Sequence, residues 1–116
     1  MEDFVEQTLL FDFYGELLTE HQKTIYEEYV LNNLSISEIA DELSISRQGV
    51  YDQLRRTEKI LSDYEESLHL VSKFLSVKEK VARINALVAD CREHPEKKPD
   101  ALSEIERVSG EILEEL

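Results

Sequence analysis

Arg47, Gln48, Tyr51, Arg55, Arg56 and Lys59 recur at spacings of one, three and four, which gathers them on one arc of a helix. Arginine can pair bidentately with guanine and glutamine with adenine, and these two types stand at the start of the arc, as Arg47 and Gln48. Arg55, Arg56 and Lys59 follow one to three turns later and suit phosphate oxygens. From position 46 to 60 four basic residues face Asp52 and Glu58, the most basic local face in the first half of the chain. Asp52 opposes this chemistry, because phosphate repels a carboxylate unless an arginine neutralises it. The competing reading is a solvated face whose charges pair along the helix, each pair contributing ~0.3–0.5 kcal/mol.

Other constellations do not form. His21, His69 and His94 are far apart, and none has a partner at metal-ligand spacing that stands out from so acidic a background. Cys91 is the single cysteine and sits on an apolar stripe, where a small buried side chain is the expectation rather than a nucleophile. There is no glycine-rich phosphate loop. The chain is therefore expected to be no enzyme and to need no cofactor or metal.

Positioning the arc requires a helix-turn-helix between Leu34 and Lys59. Thr19 with Gln22 and Ser35 with Glu38 are capping-box patterns that open the second and third helices. Ile36, Ile39, Ala40 and Leu43 form the inner face of the third helix, and the small Ala40 lets the paired helices cross closely. Ser44-Ile45-Ser46 is the turn, with a serine where glycine would reach the left-handed region more easily. Ser46 caps the fourth helix. Val50 and Leu54 then face inward, followed by Thr57, Leu61, Tyr64, Leu68 and Val71 at heptad-like spacing. The first helix, over residues 4–18, presents a stripe of Leu10, Phe13, Tyr14, Leu17 and Leu18, with Phe4, Leu9 and Phe11 off it. Ser76 with Glu79 is a third capping box and predicts a break there. A fifth helix carries Val77, Val81, Ile84, Val88 and Cys91, and the proline-flanked segment 94–99 is a loop. Asp100 caps a sixth helix with Leu102, Ile105, Ile112 and Leu116 on one face.

The expected fold is all-α: a helix-turn-helix domain over residues 1–66 with a three- or four-helix core and no wing. A helical hairpin over 67–116 is expected to pack on the long fourth helix and to serve oligomerisation. With 41% hydrophobic residues, three glycines and two prolines, the composition supports a helical core and gives few turn signals for strands.

The net charge is −13. Residues 1–56 carry 12 acidic and 4 basic side chains, residues 57–116 carry 14 and 9. Such a body repels nucleic acid at long range and attracts a basic protein. No apolar run approaches the ~20 residues a membrane span needs, and no signal-peptide pattern opens the chain, so a cytoplasmic location is expected.

Leu18-Thr19-Glu20-His21-Gln22, Ser35-Ile36-Ser37-Glu38-Ile39-Ala40 and Ser46-Arg47-Gln48-Gly49-Val50 resemble region 4 of bacterial sigma factors, over roughly residues 15–60. That region is the helix-turn-helix that reads the −35 promoter element. Across residues 8–75 the runs LLFDFYGELLTEHQ, SISRQGVYDQLRRTEKIL and YEESLHL are similar to the YlxM family of small helix-turn-helix proteins of Gram-positive bacteria. Genes of that family typically neighbour those for the signal recognition particle GTPase and its receptor. The resemblance implies a DNA-binding regulatory protein of the signal recognition particle pathway. The alternative is an acidic interaction module that binds the signal recognition particle GTPase without reading DNA. Expected partners are accordingly DNA or RNA, that GTPase, and a second copy of the chain in a homodimer.

Overall fold

The computed structural model describes residues 4–116. The elements are α1 (Phe4–Tyr14), a 3-10 turn (Gly15–Leu17), α2 (Glu20–Val30), α3 (Ile36–Leu43), α4 (Arg47–Leu68), α5 (Leu70–Glu93), a second 3-10 turn (Pro95–Lys97) and α6 (Lys98–Glu115). Among the described residues there is no strand, and no helix is long and apolar enough to cross a membrane. The chain forms two compact units, one ending at Val71 and one running from Ser72 to Leu116.

The first unit is a helix-turn-helix with two supporting helices. Thr19 and Ser35 both make the expected capping boxes: each hydroxyl accepts an N–H three residues on, and the Gln22 or Glu38 side chain accepts the cap's own N–H. Ile25, Tyr26, Ile39, Ala40, Val50, Leu54 and Leu61 are buried together with Leu10, Phe11, Tyr14 and Leu18. Full burial of each large apolar side chain contributes about 1.5–3 kcal/mol, which outweighs the weak propensity of so short a helix as α3. Phe11 lies against Tyr26 with ring centroids 5.7 Å apart, and Tyr14 stacks on Tyr64 at 5.9 Å.

The turn between α3 and α4 takes the predicted form. Ser44 is left-handed at φ 56°, and the Ile45 N–H reaches back to the Ala40 carbonyl at 3.1 Å. Ser46 Oγ then accepts the Gly49 N–H at 2.9 Å. A Cβ on Gly49 would sit 3.1 Å from that same oxygen, so glycine keeps the cap uncrowded.

Several expectations are corrected. On α1 the buried set is Leu10, Phe11, Tyr14 and Leu18, whereas Phe13 and Leu17 are exposed, Leu17 by 55%. The helix ends at Tyr14 and tightens into a 3-10 turn, so the 3.6-residue period that placed Leu17 inward does not continue. Gly15 in that turn lets the Phe11 ring approach to 3.1 Å of where a Cβ would be.

The second correction concerns the break after α4. It falls at His69, left-handed at φ 57°, and α5 runs without interruption through Ser76. Ser76 caps nothing; its hydroxyl donates to Glu115 Oε1 at 2.6 Å. The first two N–H groups of α5 are met by side chains of α1 and α4. The Leu70 N–H donates to the Tyr14 hydroxyl oxygen at 3.2 Å, and the Val71 N–H to the Glu65 carboxylate at 3.0 Å.

In the second unit α5 and α6 run antiparallel. The pairs joining them step in opposite directions along the two helices: Lys80 to Glu115 at 2.6 Å, then Arg83 to Glu104 at 2.7 Å, with Lys97 to Asp90 at 3.6 Å beside the turn. Glu104 also accepts Arg107 at 2.7 Å, and Arg107 pairs with Glu111. Only Ala101 and Val108 of this unit are fully buried. Val77, Ile84, Leu87 and Cys91 are half-buried, but Val81 and Val88, expected on the same stripe, are exposed, as are Leu102 and Leu116 of α6. The seam follows a narrower line than the sequence stripes.

Candidate nucleic-acid interface

α4 begins at Arg47 because Ser46 supplies the cap, and its inward edge is fixed by Val50, Leu54, Thr57 and Leu61. The opposite arc is set by the same period. Arg47, Gln48, Tyr51, Arg55, Arg56 and Lys59 are all exposed along it. Arg47 and Gln48 lie in the first turn, the part of a recognition helix that reaches base edges when the helix enters a major groove.

These side chains are not equivalent. The Gln48 amide donates to Asp52 Oδ1 at 2.9 Å, so its donor faces a carboxylate rather than open solvent. The Arg55 guanidinium lies over the Tyr51 ring, 5.7 Å from its centroid, and donates to the Tyr51 hydroxyl at 3.3 Å. That contact extends the guanidinium along the helix while leaving its charge uncompensated. Lys59 pairs with Asp63 at 3.4 Å. Arg47 and Arg56 have no ion-pair partner among the described residues. The arc therefore divides into two free arginines, one arginine held on a tyrosine, and two groups opposed by aspartates.

Asp63 falls outside the arc as the spacing of its basic and polar members defines it. The signal for it was available, since it stands four residues after Lys59, the spacing at which charges on a helix meet. Asp52 stands in the same relation to Gln48.

The electrostatics beside the arc are acidic. α3 exposes Glu38, Asp41 and Glu42, and in a groove-bound helix-turn-helix the first helix of the pair lies across the phosphate backbone. Glu38 is held below the usual carboxylate range because it accepts the Ser35 backbone N–H, and so it stays charged. The Glu42 carboxyl is pushed up by its hydrogen bond with Glu28, the sign of a locally negative field. No group of histidine, cysteine or carboxylate side chains among the described residues is arranged to hold a metal ion.

Comparison with known proteins gives a consistent picture. Residues 1–101 match the family model described as "Putative helix-turn-helix protein, YlxM / p13 like". A UPF0122 protein of Thermoanaerobacter pseudethanolicus is 45% identical over 113 residues, covering 97% of this chain and 96% of the relative. A UPF0122 protein of Caldanaerobacter subterraneus subsp. tengcongensis is 49% identical over 87 residues, 75% of this chain and 74% of the relative. One from Bacillus pumilus is 47% identical over 90 residues, 78% and 82% of the two chains.

Proposed function

This chain belongs to the YlxM / p13-like helix-turn-helix family, and on that premise we propose that it is a regulatory protein that contacts duplex nucleic acid through α4. The pathway it serves, on this reading, is protein targeting by the signal recognition particle. The observation that carries the nucleic-acid reading is the pair of unopposed arginines, Arg47 and Arg56, flanking Arg55 on one exposed arc. Arginine on such an arc presents a planar donor fork to phosphate or guanine. The contact area is small and the body is acidic, so binding rests on a few phosphate contacts and falls steeply with salt.

A second reading is favoured by a different observation. Asp52 and Asp63 oppose two members of the arc, and α3 turns Glu38, Asp41 and Glu42 outward where phosphates would lie. On that reading the fold is an acidic docking module for a basic protein surface, the signal recognition particle GTPase.

A pull-down from lysate with and without nuclease separates the two. Partners that vanish with nuclease support the first reading. A GTPase complex that survives nuclease and tolerates Arg47→Ala with Arg56→Ala supports the second and overturns the first.

A further inference from the structure

The hairpin formed by α5 and α6 has less core than its length requires. It spans 45 residues from Ser72 to Leu116, yet only Ala101 and Val108 are fully buried. Units near this size bury too little surface to stand alone without a disulfide, a metal or another chain. Cys91 is unpaired, and no metal cluster exists among the described residues.

The missing core is present as exposed side chains. Phe74 is 41% exposed, Val81 43% and Val88 37%, and the three recur every seven residues on α5. Seven-residue recurrence makes a straight apolar ridge of the kind that seats against another helix. On α6 the matching ridge is Leu102, exposed, with half-buried Ile105 and Ile112, and it continues to exposed Leu116 just past the helix end. At 100° per residue each ridge lies roughly 90° beyond the seam residues of its own helix, in the direction of increasing residue number. Because the helices are antiparallel, equal offsets in that sense put both ridges on the same side of the hairpin. The result is one continuous two-helix apolar face.

We propose that this face binds the same face of a second copy of the chain, closing an antiparallel four-helix bundle. The charges select a second copy over an unrelated apolar partner. α5 carries five basic side chains against three acidic, and α6 carries six acidic against two basic. A two-fold partner can therefore lay its acidic α6 beside α5 and its basic α5 beside α6, so that both new helix contacts are attractive. α1 and the turn after it also expose apolar side chains, Val5, Phe13 and Leu17, but they belong to a unit that already has a full core, and no such charge pattern flanks them. The association does not depend on nucleic-acid binding.

The test is the mass of the full chain by light scattering at about 20 µM, where micromolar self-affinity leaves mostly dimer. The wild-type chain is expected at twice 13.5 kDa. Val81→Glu with Val88→Glu is expected to weaken the dimer about a hundredfold or more, to a monomer with unchanged helicity by circular dichroism. Should that variant lose helicity, Val81→Ser with Val88→Ser decides by the same readout. Val5→Glu with Phe13→Glu on α1 is expected to leave the mass unchanged. A wild-type monomer at this concentration overturns the proposal. So does a dimer that survives the α5 changes and dissociates on the α1 changes.

Discussion

The Tyr14 hydroxyl donates to Glu65 Oε1 at 2.5 Å, joining the end of α1 to the last turns of α4. The same carboxylate oxygen accepts the Val71 N–H, and the same phenol oxygen accepts the Leu70 N–H. Together they satisfy the first two N–H groups of α5, those of Leu70 and Val71. Burial pushes the Tyr14 hydroxyl pKa up, and the Glu65 carboxylate pushes it further, so it remains a donor throughout the neutral range. Tyr14→Phe keeps the ring stack on Tyr64 but leaves Glu65 and the Leu70 N–H short of a partner. The expected loss is about 1–3 kcal/mol, read as a lower urea midpoint at constant slope. An unchanged midpoint would show that water replaces the phenol without cost.

Two other positions hold strain that glycine would relieve. Ser44 and His69 adopt φ 56° and 57°, a region costly for most side chains. Ser44→Gly and His69→Gly are each expected to stabilise the chain by about 0.5–1 kcal/mol, seen as a rise in Tm of a few degrees. Ser44→Val should lower it.

Thr57 is buried on the inward edge of α4, and its hydroxyl has no hydrogen-bond partner among the described residues. Valine has nearly the same shape and no polar atom to desolvate. Thr57→Val is expected to raise stability by about 1 kcal/mol in the same urea titration. A loss instead of a gain would mean the hydroxyl is satisfied in solution.

These sites divide by how far the signal travels along the chain. The caps at Thr19, Ser35 and Ser46 are legible in sequence because each is a contact within three residues; Asp100, expected to cap the sixth helix, lies inside the first turn of α6, which starts at Lys98 without a side-chain cap. The inward edge of α4 is legible from Val50 to Leu61 because its period is regular, whereas Leu68, expected on the same edge, is exposed at the last residue of the helix. The break at His69 is not, because the groups that stabilise it, Tyr14 and Glu65, are 51 positions apart and meet only in the folded unit. The Ser76-Glu79 pattern looked like a helix start, but Ser76 is held by Glu115, 39 residues away. On α1 the stripe holds at Leu10, Tyr14 and Leu18 but not at Phe13 and Leu17, which are exposed, while Phe11 off the stripe is buried. In the candidate interface, the arc follows from spacing alone, whereas the difference between free Arg56 and engaged Lys59 depends on rotamers that bring Asp63 within reach.

The hairpin should weaken in acid. Glu104 is held down to about 2 by hydrogen bonds from Arg107 and then Arg83, and Glu115 is held below the usual range by Lys80 and Ser76. A carboxylate whose folded pKa lies below its unfolded value of about 4.3 contributes stability that is complete above that value. That contribution is lost as pH falls from about 4.3 towards 2. Amide hydrogen exchange in α6 is expected to accelerate across this window. Glu104→Gln should flatten the dependence; an unchanged profile would assign the acid sensitivity elsewhere.

The claim that α4 contacts nucleic acid is tested most directly by the salt dependence of duplex binding, measured by fluorescence anisotropy for the wild-type chain and Arg56→Ala. Arg56 has no competing carboxylate, so each phosphate it neutralises releases counterions in full. Wild-type affinity is expected to fall linearly with salt on logarithmic axes, and Arg56→Ala to reduce that slope by about 0.9. Lys59→Ala should change it less, because Asp63 already occupies the lysine. No duplex binding at low salt, or a slope that Arg56→Ala leaves unchanged, would contradict it.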